Sequence, residues 1–538
     1  MPATVTISRL TYTGPDSRVL FSNLDLGFGP GRTGLVGRNG VGKTTLFRLI
    51  AGDLAPSGGS VSVSGRIGIL RQQVQPGPDE TIADLFGVRA GLALLERALA
   101  GEADAEELAE AEWTLEARLD EALAALKLDV TPQTLLGELS GGQRTRAALA
   151  ALLFEAPDLI LLDEPTNNLD VDGRVAVAEM LARWRGAAIV VSHDRDLLER
   201  MDAIVELTGL GATTYGGNWS FYRERKAQEL ASAQYDLDVA ERQVREAAKA
   251  AQEAKEKQDK RDAGGRRKGA KGDMPKIVAG GLKRRAEATA GSLDRLAGKQ
   301  ADAAEAQIES ARARIEVLAP FAVKLMPSGV PSGKVLLRAT GVTGGHDPEH
   351  SVIRNFAMDI IGPERVALTG PNGVGKTTLL KLLTGELAPL SGAVQVGGKL
   401  AVLDQQVALL ERDETIVENF RRLNPESSVQ DCRSVLAAFQ FRNDAALQRV
   451  GTLSGGEMLR AGLACVLGGK VPPMLIVLDE PTNHLDVSAV EVVEAGLRAF
   501  DGALLVVSHD RAFLDNIGVG REVVLTSPSG ERSTRSGG

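Results

Sequence analysis

This chain of 538 residues has little cysteine, only Cys432 and Cys465. Two thiols cannot staple a framework. That excludes a disulfide-built secreted scaffold and fits free thiols in a reducing cytosol. Long apolar runs are missing too. The longest, such as residues 147–154, fall far short of the roughly 18 residues a membrane span needs, so no integral membrane segment is expected. The opening stretch MPATVTISRL has no apolar core, which predicts no signal peptide and a cytoplasmic protein. Positive charge is in deficit, with a formal net charge of −9, and no aromatic residue occurs from residue 252 to residue 318. What remains is an ordinary soluble composition, 43% hydrophobic and 25% charged. The length allows two or three domains, each with its own core.

The chain writes one unit twice. GRNGVGKTTL at residues 37–46 returns as GPNGVGKTTL at 370–379, and LSGGQ at 139–143 returns as LSGGE at 453–457. LILLDEPTNNLD at 159–170 returns as LIVLDEPTNHLD at 475–486, and VVSHDR at 190–195 returns at 506–511. Such self-similarity sets the domain organisation before any local reading. The spacing between copies is 333 residues from Lys43 to Lys376 but 314 from Ser140 to Ser454, so the first copy carries 19 extra residues. They fall around residues 102–121, an acidic stretch of strong helix formers. This reads either as a short helical arm near residues 90–125 or as an ordinary surface helix.

The repeated strings carry phosphate chemistry. G-x-x-x-x-G-K-T follows an apolar strand at residues 33–36 and again at Arg365–Thr369. Gly37, Asn39, Gly40 and Gly42, with Gly370, Asn372, Gly373 and Gly375 in the second copy, let backbone N–H groups close around phosphate oxygens. The helix that follows points its positive end at them. Lys43 and Lys376 would reach the β and γ phosphates, and Thr44 and Thr377 would hold Mg²⁺, with Thr45 and Thr378 beside them. Asp163 and Asp479 each close an apolar strand, as metal-holding aspartates do. Glu164 and Glu480, next in line, can orient the attacking water. A solvated strand end is the plain alternative for one Asp-Glu pair, but two such pairs at matching distances from a phosphate loop argue against it. His193 and His509 each stand 30 residues beyond their aspartate, a shared spacing that favours sensing of the γ-phosphate over a structural hydrogen bond.

Between the copies the periodicity changes. Leu230, Leu237, Val244 and Ala251 are seven apart, as are Ala233, Ala240, Ala247 and Ala254; a second series runs from Ala290 to Leu318 in alternating steps of three and four. Two heptad helices joined by a Gly-rich loop predict an antiparallel coiled-coil hairpin. Its turn is basic. Residues 255–285 hold twelve Lys/Arg against four Asp/Glu, a net +8 inside an acidic chain. A charge run is often only a solvated face. Here the cations gather at the far end of an arm, which points to a polyanionic partner. Arg266, Arg267, Lys268, Lys271, Lys276, Lys283, Arg284 and Arg285 suit phosphate contacts. With no aromatic for base stacking, RNA gripped by its backbone is the expected ligand.

LSGGQ and LSGGE, together with the phosphate loops and the LLDEPTN string, resemble the ATP-binding cassette (ABC) superfamily over residues 1–222 and 334–525. YGGNWSFYRERK at residues 215–226 resembles the string that ends the first cassette in the ABC-F family. The resemblance implies a fold of two α/β P-loop ABC ATPase domains joined by an antiparallel α-helical coiled-coil linker over residues 223–333; the polar stretch at 526–538 reads as a disordered tail. It implies an ATPase using ATP and Mg²⁺, and a monomer whose cassettes pair head to tail. Ser140, Gly141, Gly142 and Gln143 would then cap nucleotide on the second phosphate loop, and Ser454, Gly455, Gly456 and Glu457 nucleotide on the first. Gln72 and Gln405 would contact Mg²⁺ and the attacking water, and Tyr12 would stack on adenine. The second copy departs there, offering His346 in place of an aromatic. The family further implies a ribosome partner, both ribosomal RNA and peptidyl-tRNA, near the peptidyl-transferase centre. The role would be antibiotic resistance by target protection or general translation control. A membrane exporter's ATPase subunit would leave the hairpin idle. DNA-repair ABC ATPases place their coiled coils inside a cassette, not between two.

Overall fold

In the computed structural model the described residues are 3–15, 17–70, 77, 79–167, 169–269, 325–345, 351–483, 485–526 and 534–536. The chain divides into two compact units, Met1–Ser220 with Phe321–Gly538, and Phe221–Pro320.

The first unit contains one α/β arrangement twice. In the first copy the strands are β1 (Thr4–Thr13), β2 (Val19–Phe28), β3 (Arg32–Val36), β4 (Gly58–Ser64), β5 (Ile67–Leu70), β6 (Leu159–Asp163), β7 (Ala187–Val191), β8 (Ala203–Thr208) and β9 (Gly211–Gly216). A small antiparallel sheet has the order β2-β1-β4, and a larger sheet the order β5-β6-β7-β3-β8-β9, parallel from β5 to β8. The second copy runs β10 (Val335–Gly344), β11 (Ile353–Ile361), β12 (Arg365–Thr369), β13 (Ser391–Val396), β14 (Leu400–Leu403), β15 (Leu475–Asp479), β16 (Ala503–Val507), β17 (Arg521–Val524) and β18 (Thr534–Ser536). Its sheets repeat the orders, β11-β10-β13 and β14-β15-β16-β12-β17-β18; β18 pairs with β17 within the stretch 526–538 that the sequence reads as a disordered tail. Strands β6 and β7 are buried at every residue, which is why LILLD and AAIVV read as unbroken apolar runs rather than alternating ones. Strands β3 and β12 lie inside their sheets, so the loops that leave their C-terminal ends open where such sheets bind ligands.

Phe28, Leu46, Phe47, Leu161 and Val205 join the small sheet, the helix Lys43–Ile50 and the large sheet into one core. Leu337, Phe356, Leu379 and Leu505 do the same in the second copy. A further cluster around Phe420, Phe439, Leu463 and Phe513 seats the helices of the second copy. Each such side chain contributes about 1.5–3 kcal/mol of apolar transfer. Cys432 and Cys465 lie in that cluster as free thiols, both pushed up by burial, and neither is poised as a nucleophile.

The stretch that holds the 19 extra residues of the first copy is largely helical. Helices Arg89–Leu99, Ala105–Glu110 and Leu115–Ala125 precede the helix Gly141–Phe154. Leu115, Leu119 and Leu123 are buried, whereas Ala105–Glu110 buries nothing and is held by its Asp104–Glu107 capping box and an Arg97–Glu107 ion pair.

One helix, Trp219–Gly269, starts at the end of the first unit's Met1–Ser220 segment and continues in the second for a total of 51 residues, about 75 Å at 1.5 Å per residue. Ala233 is buried and Leu230 and Leu237 are half-buried, at the expected spacing. The helix passes through Gly264 and Gly265 and includes Arg266, Arg267 and Lys268, so the turn expected from this glycine-rich stretch does not begin before residue 270. Two glycines cost a helix about 1 kcal/mol each, and the Glu, Lys, Gln and Ala residues ahead of them sustain it. The returning series from Ala290 to Leu318, Lys271, Lys276, Lys283, Arg284 and Arg285 lie outside the described residues.

Candidate nucleotide sites

Each phosphate loop leaves the end of its strand by an extended turn. A Cβ at Gly37 would stand 2.4 Å from the Leu207 carbonyl oxygen, and one at Gly370 2.4 Å from that of Leu525, so no other residue fits there. Lys43 Nζ donates to the carbonyls of Gly37 at 2.6 Å and Arg38 at 3.2 Å. Lys376 Nζ donates to Gly370 at 2.8 Å and Pro371 at 3.1 Å. A cavity of about 330 Å³ opens over the first loop, lined by Asn39, Gly40, Gly42, Lys43, Thr44, Thr45, Asp163, Glu164, Asn167 and His193, with Leu20 and Val191. The predicted phosphate-loop and carboxylate residues of the first copy thus converge on one space.

The loop threonines reach the strand aspartates. Thr44 Oγ1 donates to Asp163 Oδ2 at 2.8 Å, and Thr377 Oγ1 to Asp479 Oδ2 at 2.9 Å. Burial raises both aspartates, with the hydroxyls opposing it. Burial also lowers both lysines, while Glu164, Asp486 and Asp163 restore Lys43 in part and Glu480, Asp170 and Asp479 restore Lys376. No group of three or more His, Cys, Asp or Glu suited to a metal occurs among the described residues. A hydroxyl and a carboxylate oxygen side by side fit Mg²⁺, a hard ion that keeps waters and takes further ligands from substrate phosphates.

The glutamates after those aspartates show what the sequence did not. Glu164 has φ 52° and Glu480 φ 46°, both left-handed, and their N–H groups donate to Val191 and Val507 at 2.9 Å. A side chain held there costs about 1–3 kcal/mol, and the same device is built twice. It sets Glu164 Oε1 3.0 Å from His193 Nε2 and Glu480 Oε1 3.5 Å from His509 Nε2. The two histidines then differ. His509 Nε2 also lies 3.0 Å from Lys376 Nζ, and since an ammonium only donates, the imidazole accepts and is neutral. Burial, then Lys376 and Arg174, push His509 down to about 4, and burial raises Glu480 to about 7.

Ser140 and Ser454 cap the helices Gly141–Phe154 and Gly455–Leu467. Each accepts from the N–H of the residue three further on, at 3.2 Å from Gln143 and 3.4 Å from Glu457. Gln143 and Glu457 return the bond, accepting from the serine N–H at 2.9 Å. Tyr12 lies half-buried in β1 against the first core, and the apolar lining of the cavity comes from Leu20 and Val191. Gln405 follows β14 and is exposed; Gln72 and His346 lie outside the described residues. Two contacts between the cassettes escaped the sequence. The Asn39 N–H donates to Asp486 Oδ2 at 2.7 Å, and Arg195 pairs with Glu494. Burial alone would raise Asp486, but bonds from Ser488, Asn39 and Ala489 outweigh it and hold the carboxyl below its usual range.

Residues 21–167 and 353–483 match the ABC transporter family. The chain is 34% identical to the tylosin resistance ATP-binding protein TlrC of Streptomyces fradiae, over 92% of this chain and 93% of that one. It is 33% identical to the energy-dependent translational throttle protein EttA of Mycobacterium tuberculosis, over 93% and 87%. The chain belongs to the ABC-F family of the ATP-binding cassette superfamily. As an ABC-F protein it is an ATP-hydrolysing enzyme, with ATP as its nucleotide. Its fold also matches the archaeal ribosome recycling factor aABCE1, solved with the stalk protein aP1, at a TM-score of 0.59 and 19% identity over 96% and 87% of the two chains. No helix among the described residues is long and apolar enough to cross a membrane.

Proposed function

We propose that this ABC-F ATPase binds the translating ribosome in the cytoplasm and acts near the peptidyl-transferase centre, protecting it from an antibiotic. The observation that carries this reading is likeness at 34% identity, over 92% of this chain and 93% of that one, to a protein named for tylosin resistance. In each site the phosphate loop would bind the β and γ phosphates through backbone N–H groups and the lysine. Thr44 with Asp163, and Thr377 with Asp479, would hold Mg²⁺, which screens phosphate charge when bound. Glu164 and Glu480 would orient water, and His193 and His509 would contact the γ-phosphate. The signature serines would close on nucleotide held by the opposite cassette. The basic residues from Arg266 to Arg285 would meet ribosomal RNA and peptidyl-tRNA by their phosphates.

General translation control is the second reading, favoured by the 33% likeness to a translational throttle protein. Replacing Glu164 and Glu480 by Gln should stop turnover and lock the ATP-bound form. That protein should co-sediment with ribosomes in ATP, and cells expressing it should stop growing. Sedimentation with membranes instead would favour an exporter subunit and reject both readings. Growth of a drug-sensitive host against ribosome-targeting antibiotics separates resistance from housekeeping.

A further inference from the structure

One helix of the second cassette is gripped by the first cassette at two points. Helix Val487–Ala499 is N-capped by Asp486, whose Oδ1 takes the Ala489 N–H at 2.8 Å and whose Oδ2 takes the Asn39 N–H of the first phosphate loop. About two turns along, the helix presents Glu494. Arg195 Nη1 lies 2.6 Å from Glu494 Oε1 and Nη2 3.3 Å from Oε2, and Asn516 Nδ2 adds a bond to Oε1 at 3.1 Å. The two charged side chains are 11% and 6% exposed. Arg195 stands two residues after His193. Both walls of the first site, its phosphate loop and its histidine, are therefore tied to a single rigid helix.

The Arg195–Glu494 pair is not repeated at the equivalent positions on the other side, although Asp170, the equivalent of Asp486, also acts on its lysine, Lys376. A spacing of 316 residues relates the copies here, so Arg195 corresponds to Arg511 and Glu494 to Ala178. Ala178 offers no carboxylate. Arg511 turns to Glu522 of its own cassette, at 2.8 and 3.0 Å, with its side chain 55% exposed. A buried ion pair offsets its desolvation only with good geometry and added hydrogen bonds. Arg195, Glu494 and Asn516 supply both. The exposed Arg511–Glu522 pair contributes little.

We infer that Arg195 and Glu494 are positioning residues that keep the helix Val487–Ala499 seated on the Lys43 site. That site then releases nucleotide slowly, and the Lys376 site is the one that opens. The inference rests on reading Lys43 and Lys376 as two nucleotide sites. Truncating one partner of a buried interfacial charge pair acts on dissociation rates, so release is the quantity to read.

Release of a fluorescent ATP analogue is timed in Lys376→Ala, which keeps the Lys43 site, and in Lys43→Ala, which keeps the other. The first should release more slowly. Arg195→Ala or Glu494→Gln should speed release from the Lys43 site about tenfold and change the Lys376 site by less than about twofold. Arg195→Glu combined with Glu494→Arg should restore slow release. Equal rates at the two sites, or an equal effect of Arg195→Ala on both, overturns the inference. Hydrogen exchange of the nucleotide-free wild type gives a second reading that needs no variant. Helix Val487–Ala499 should exchange more slowly than its counterpart Val171–Arg183, and equal protection overturns the inference. Analogue binding that survives Lys43→Ala with Lys376→Ala rejects the site assignment, and the exchange comparison still judges the grip.

Discussion

Glu480 and His509 hold one proton between them, and its location is set by burial. With the carboxyl raised to about 7 and the imidazole lowered to about 4, the proton sits on Glu480 at pH 5.5. In the unfolded chain it sits on histidine. The signs are opposite. A raised carboxyl stabilises the fold below its unfolded value, and that contribution is lost as pH rises through about 7. A lowered imidazole stabilises above about 6.5, and that contribution is lost as pH falls toward 4. Between about pH 4.5 and 6.5 the two nearly cancel. Glu480→Gln removes one side of the balance. Its thermal midpoint, measured without nucleotide, should fall from pH 7 to pH 5 by an amount worth at most about 2 kcal/mol more than in wild type. Parallel curves for the two proteins would show that burial does not govern the pair. The sequence singled out Glu480, His509 and their equivalents in the first copy, because the proposed chemistry needs those residue types in that order, and the fold brings each pair together. It could not show the left-handed backbone at Glu164 and Glu480, since glutamate is no marker of positive φ, nor that only the second histidine faces its lysine.

At the scale of elements, the signature strings explain their own variation. LSGGQ and LSGGE differ at the third residue of a helix, where either side chain can accept from the serine N–H that opens it. Gln143 does so with an amide oxygen and Glu457 with a carboxylate that also takes the Ser454 hydroxyl at 2.7 Å. Gln143→Glu and Glu457→Gln should therefore each leave stability within about 0.5 kcal/mol of wild type, whereas Ser454→Ala should cost about 1 kcal/mol. Denaturation midpoints of the three variants test this, and a large loss in Glu457→Gln would mean its charge is held by something other than the cap. Elements with strong punctuation were legible in this way: buried strands as apolar runs, capped helices, and the heptad helix that begins after Gly217 and Asn218. The helix through Gly264 and Gly265 was not, because glycine there suggests a turn and the propensity of its neighbours prevails. Pairings between the copies, such as Asn39 with Asp486, escaped because residues 447 apart leave no periodic trace.

At the scale of the whole molecule, the charge distribution argues for a partner. A chain of net −9 is repelled by a polyanion, yet it places a net +8 in residues 255–285, beyond the cassettes' own sequence. With a polyanionic partner, repulsion by the rest of the chain and attraction by this stretch would favour contact through the stretch. Three of its cations, Arg266, Arg267 and Lys268, lie in the long helix. If they meet RNA phosphates, each neutralised phosphate sheds a counterion, and affinity falls with salt in proportion to how many are neutralised. Replacing all three by Gln should weaken ribosome binding of the ATP-locked protein. It should also flatten the plot of log affinity against log salt, by about 0.7–0.9 for each phosphate left unneutralised, or roughly 2–3 in all. A weaker affinity with the slope unchanged would mean these residues act through protein surfaces or helix stability and not through phosphate. An unchanged affinity would remove this stretch from the interaction with the ribosome.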